Sequence, residues 1–120
     1  MATATTRKRR GADTQRVVAE AWRRDGWPYA EPVGAGASGR DLTGTPGVAI
    51  EVKARADFSP LMWLRQAARN AGSDIPAVVL RPNGAGPATV DEWPVIMSHA
   101  QFRALLRAAG YPRPVEQVAP

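Results

Sequence analysis

Seven residues in the middle of this chain constrain it most: Val48-Ala49-Ile50-Glu51-Val52-Lys53-Ala54. Apolar Val48, Ile50 and Val52 alternate with Ala49, Glu51 and Lys53, which is the period of a β-strand. Side chains at i and i+2 of a strand share a face. The three branched residues therefore turn toward a core, and Glu51 and Lys53 project together from the other side. Pro46-Gly47, just upstream, reads as the turn that opens the strand.

The surrounding segments supply what such a strand needs. A helix is expected from about Thr14 to Asp25, capped by Asp13 and ended by Gly26, with Val17, Val18, Ala21 and Trp22 on one face. Trp27 to Val33 reads as an extended edge segment, because Pro28 and Pro32 argue against a central strand. A second helix has Ser59 as N-cap, Pro60 in its first turn and Gly72 as its stop. Valine-rich Pro76–Leu80 is a further strand, Arg81–Thr89 a Gly/Pro loop, and Val95–Met97 a short strand. The capping box Ser98-x-x-Gln101 opens a last helix with Phe102, Leu105, Leu106 and Ala109 as its core stripe. The order is helix, two or three strands, helix, strand, strand, helix, which makes a small α/β domain with a mixed sheet.

Composition narrows the functional classes. A chain of 120 residues is one domain. With no cysteine, disulfides, cysteine-ligated zinc and thiol nucleophiles are excluded. The longest apolar runs are too short to span a bilayer, and no signal peptide is visible, so no membrane partner and cytoplasmic residence are expected. The net charge of +5 resides wholly in residues 1–24, where seven basic residues stand against Asp13 and Glu20. Residues 1–12 therefore read as a flexible basic arm whose Lys8, Arg9 and Arg10 contact phosphates of a nucleic acid. Residues 13–111 form the domain, and 112–120 an irregular tail.

Gly34-Ala35-Gly36-Ala37-Ser38-Gly39 matches G-x-G-x-x-G, but its context is wrong for a dinucleotide. That loop needs a buried strand before it and a helix opening at its last glycine. Prolines precede it, and Gly44, Pro46 and Gly47 follow. No nucleotide cofactor is expected, and the glycines read as a loop that lets backbone approach a ligand closely.

The chemistry lies further on. A hairpin-like return before Pro46-Gly47 brings Asp41 beside Glu51. Two converging carboxylates need a metal, a shared proton or a cation. All-oxygen ligation favours Mg²⁺, with Mn²⁺ as substitute. A lysine beside such an ion orients the attacking water and offsets transition-state charge. This is a site for hydrolysing a phosphodiester. A solvated Glu/Lys pair with Asp41 as a turn residue is the alternative from spacing alone.

Asp41 followed at a distance by Glu51-Val52-Lys53 resembles the signature of the PD-(D/E)xK nuclease superfamily. More narrowly, Ser38-Gly39-Arg40-Asp41 and then Gly47-Val48-Ala49-Ile50-Glu51-Val52-Lys53 is similar to its Holliday-junction-resolvase-like branch, found in archaea and phages. The resemblance covers about residues 8–110 and is sharpest over 36–54. It implies a restriction-endonuclease-like core of helix, three-stranded meander, helix and strand, followed here by a C-terminal helix. It also implies a Mg²⁺-dependent endonuclease acting on branched DNA, commonly as a homodimer. Asp41 and Glu51 would be metal ligands, the Val52 carbonyl a third, and Lys53 the catalytic lysine. Ser38 matches a loop serine near the scissile phosphate. Gln15 stands where the family often has a glutamate and would ligate through its amide oxygen, and Glu20 is a second candidate for that place.

Arg40 and Arg55 flank the proposed ligands and are expected on phosphates. Gln66 shares a helix face with Arg69 and Asn70 and is expected toward the site and the DNA. Two other readings stay open: a nicking, repair or restriction-like nuclease on duplex or single-stranded DNA, and a DNA-binding module without activity.

Overall fold

The computed structural model describes residues 4–34, 39–54 and 57–113, and of residues 4–8 the backbone alone. Its first element, α1 (Ala4–Arg24), starts well ahead of the expected Thr14. From Ala4 onward the expected flexible arm is thus helix. Arginine, lysine and alanine are strong helix formers, and a lone Gly11 costs only about 1 kcal/mol. Asp13 lies inside this helix rather than capping it. Its carboxylate pairs with Arg16 one turn on and lies 3.5 Å from an Arg81 nitrogen.

The strands and the two later helices follow in the expected order. β1 (Glu31–Pro32) pairs antiparallel with β2 (Leu42–Thr43). β3 (Val48–Lys53) and β4 (Ile75–Leu80) run parallel, joined by α2 (Pro60–Ala71), and β5 (Val95–Ile96) adds antiparallel to β4. The domain is α/β with a mixed three-stranded sheet and a separate two-stranded one. The expected meander is therefore divided. Pro32 in β1, and Gly44 to Gly47 after β2, keep that hairpin to two paired residues a side. β3 is tied to the hairpin through the Asp41 N–H, which donates to the Ile50 carbonyl at 3.0 Å. Gly44 has φ 78°, and any Cβ there would lie 1.9 Å from the Tyr29 carbonyl oxygen, so only glycine fits at the open end of the hairpin.

Each face of β3 has a cover. Val17 and Val18 of α1 join Leu42, Ile50, Val79 and Trp93 in one core, with Val48 and Val52 packed against it. Trp63 and Ala67 of α2 join Val78 in a second core on the opposite face. Burial of Ile50 alone stabilises by about 1.5–3 kcal/mol. Trp93 caps a 3-10 helix (Pro87–Glu92) whose start overlaps the end of the expected loop Arg81–Thr89. Glu51 and Lys53 thus do not face water but the underside of α2.

The last helix, α3 (His99–Ala108), begins as its capping box predicts, with Ser98 Oγ accepting from the Gln101 N–H at 3.0 Å. Its expected core stripe is not a core: no residue of α3 is buried, and Phe102 is 52% exposed. The stripe has amphipathic spacing but follows the edge strand β5, beyond the sheet that would cover it. No helix among the described residues is long and apolar enough to cross a membrane.

Candidate functional site

Asp41 is fixed by its backbone before its side chain does anything. Its N–H donates to Ile50 of β3, and its carbonyl accepts from Val33 at 2.9 Å. Held between β1 and β3, its carboxylate takes the Val52 N–H at 2.7 Å. The N–H and C=O of one strand residue point to the same edge. Val52 therefore directs its carbonyl to the edge that Asp41 occupies. Lys53 points its own carbonyl the other way, to the Arg81 N–H at 2.8 Å.

Glu51 is 4% exposed on the α2 side of β3. Asn70 of α2 donates to its Oε1 at 3.1 Å, and Lys53 Nζ donates to Gln66 Oε1 at 3.2 Å. These two bonds form matched rungs. Residues i and i+2 of a strand are about 6.6 Å apart, and i and i+4 of a helix about 6 Å. Glu51/Lys53 and Asn70/Gln66 thus pair across the gap in antiparallel sense. The solvated Glu/Lys pair is excluded by this burial.

Burial pushes the Glu51 carboxyl up to about 7. The bond from Asn70 opposes that rise, the charge of Asp41 and a shared hydrogen bond with it add to it, and Lys53 opposes it more weakly. Near neutrality Glu51 is therefore only partly ionised beside Asp41. The Asp41 carboxylate and the Val52 carbonyl at the strand edge, with the Glu51 carboxyl coming from the α2 face, are hard oxygen donors of the kind that suit a divalent ion keeping several waters. Among the described residues no group of three or more His, Cys, Asp and Glu converges, so the acidic complement here is these two.

No family model, no curated protein and no solved structure matches this chain.

The remaining expected residues divide. Gln66 does face the site, engaged with Lys53. Gln15 is half-buried on α1 and, among the described residues, makes no hydrogen bond to Asp41, Glu51 or Lys53. The reason is topological, since α1 covers the face of β3 opposite Glu51. Glu20 is bonded to Arg16 on the same helix and is likewise not part of the cluster. Arg40, expected on phosphates, directs its guanidinium into the protein, onto Asn70, Ala71 and Asp74. Arg9 is exposed, while Arg10 is half-buried with its Nε out of contact with any partner. Ser38, Arg55 and the Lys8 side chain lie outside the described residues. Asn70 is the residue that sequence reasoning left without a role. The available signal was its i+4 spacing from Gln66, which mirrors the i+2 spacing of Glu51 and Lys53.

Proposed function

We propose that this protein is a metal-dependent endonuclease of PD-(D/E)xK type that hydrolyses DNA phosphodiesters at branched sites. The observation that carries the reading is the Asp41 carboxylate anchored on the Val52 N–H beside a buried Glu51 raised to about 7, with Lys53 two residues on. Asp41, Glu51 and the Val52 carbonyl would hold Mg²⁺ or Mn²⁺. When bound, that ion would polarise the phosphate and lower the pKa of a coordinated water. Glu51 would ligate in its ionised form, so ion binding would displace the proton that burial holds on its carboxyl near neutrality. Lys53 supplies a cation near the transferring phosphoryl group, and Gln66 keeps its Nζ on the α2 side until substrate draws it away.

The basic residues of α1 between Arg7 and Arg24 supply the sequence-independent attraction to DNA. One such site would be present among the described residues of each chain, so cutting both strands of a junction calls for two copies, most simply as a twofold dimer. The exposed apolar stripe of α3 supports that pairing. The test is a cleavage panel of four-way junction, flap, duplex and single strand, with and without Mg²⁺. Metal-dependent cutting with the junction preferred, abolished by Glu51→Gln, is the expected result. Cutting at equal rates on duplex would shift the reading to a restriction- or repair-like substrate with the same chemistry. Undiminished cutting by Glu51→Gln would remove the assignment.

A further inference from the structure

The C-terminal end of α2 is held from outside the helix by one side chain. Arg40 Nη2 donates to the Ala71 carbonyl at 2.8 Å, its Nε to the Asn70 carbonyl at 3.3 Å, and its Nη1 to Asp74 Oδ2 at 2.6 Å. The last carbonyls of a helix lack intrahelical partners, and cations are favoured there. A planar guanidinium can serve two carbonyls and a carboxylate at once, whereas an ammonium acts as a single point charge. The engagement of three donors leaves Arg40 poorly placed to grip a phosphate.

Two connections make this latch more than a helix cap. Along the chain, Arg40 immediately precedes Asp41. Across space, the residue whose carbonyl it holds, Asn70, is the one whose side-chain amide holds Glu51. The latch thus joins the loop bearing one carboxylate to the helix end that orients the other.

We propose that Arg40 is a positioning residue for the carboxylate pair, fixing Asn70 against Glu51 and the start of β2 against α2 so that Asp41 and Glu51 stay converged. The proposal rests on the reading of those two residues as metal ligands given above. It assigns Arg40 no contact with metal or DNA; it acts through Asn70.

A double-mutant cycle on the full chain tests it, using Arg40→Ala, Asn70→Ala and the pair, with two readouts. The first is the ¹⁵N–¹H signal of the Asn70 side-chain amide in the metal-free protein. The second is Mn²⁺ affinity by calorimetry. In Arg40→Ala the Asn70 amide should move to the position of a solvated amide, and Mn²⁺ should bind about tenfold more weakly, as when other partners behind a metal ligand are lost. In the Asn70→Ala background the same change should cost less than about twofold, because its route of action is already gone. Arg40→Lys should recover little of either signal. Should Arg40→Ala fail to fold, Asp74→Asn weakens the latch while leaving the guanidinium, and the same two readouts apply.

An Asn70 amide unmoved by these changes, or Mn²⁺ losses that simply add, would overturn the proposal and leave Arg40 a plain helix cap. A wild-type protein that binds no Mn²⁺ would instead overturn the metal reading, while the Asn70 amide still decides whether Arg40 positions that residue.

Discussion

Glu51→Gln should make this protein more stable at pH 8, not less. The Glu51 carboxyl is 4% exposed and raised from 4.5 to about 7. Between those two values the folded state binds more protons at Glu51 than the unfolded state does. Stability from this group is therefore fully present below about 4.5 and is lost as pH rises through about 7. Raising a carboxyl's midpoint by one pH unit corresponds to about 1.4 kcal/mol, so the whole window amounts to about 3 kcal/mol. That is a large part of the 5–15 kcal/mol typical of a domain. Glutamine keeps the oxygen that accepts from Asn70 and removes the ionisation. Urea unfolding of both proteins at pH 5, 6, 7 and 8, without divalent ions, measures the effect. The wild type should lose stability across the series while Glu51→Gln stays nearly level, and the difference should favour Glu51→Gln by up to about 3 kcal/mol at pH 8. Saturating Mg²⁺ at pH 8 should restore the wild type and leave Glu51→Gln unmoved, since only the former offers the ion a second carboxylate. A gap between the two proteins that does not change with pH would refute the argument, because it would mean Glu51 ionises in the fold as freely as in water.

Other outcomes follow from the same geometry. Asp41→Ala leaves the Val52 N–H without its acceptor and should cost about 1–3 kcal/mol in denaturant unfolding, whereas Asp41→Asn keeps an acceptor and most of the stability. Both should be inactive in the Mg²⁺ cleavage assay, and activity surviving in Asp41→Asn would count against a ligand role. On α3, Phe102→Ser and Leu105→Ser remove exposed apolar groups and should leave monomer stability within about 0.5 kcal/mol. Light scattering should show them shifting the protein from dimer to monomer, and a wild type that is already monomeric at tens of micromolar would rule out that interface.

What the sequence disclosed and what it did not can be traced to particular residues. The strand at Val48–Lys53 and the helix at Pro60–Ala71 were legible because period and punctuation agreed: Pro46-Gly47 and Gly72 bound them, and the apolar spacing between is unambiguous. The start of α1 was not, since charge repeats every residue from Arg7 to Arg10 and helical propensity there carries no amphipathic signature. The stripe on α3 shows the complementary limit. Phe102, Leu105 and Leu106 announce an apolar face, but spacing does not say whether the chain's own sheet or another surface covers it. Asn70 and Arg40 were hidden for a third reason. Their roles depend on α2 running antiparallel to β3 at one register, a relation between elements that neither segment encodes alone.

That register also explains why the site contains two carboxylates rather than three. β3 is covered on both faces, and the polar side is taken by α2, whose Gln66 and Asn70 meet Lys53 and Glu51 with neutral amides. α1 packs against the apolar side, so an acid at position 15 would have to reach around the strand edge to join the pair, and Gln15 brings no charge with which to do so. The neutral Asn70 amide donates to Glu51 Oε1 without fixing its charge, and so would leave it able to exchange a proton for a cation. An arginine or lysine in place of Asn70 would tie Glu51 into a permanent ion pair, ionised at all working pH and closed to metal. The amide at 70 therefore leaves the Glu51 carboxyl free to change its charge, and Asn70→Lys, which sets a cation beside it, should lower that carboxyl's pKa and abolish Mn²⁺ binding.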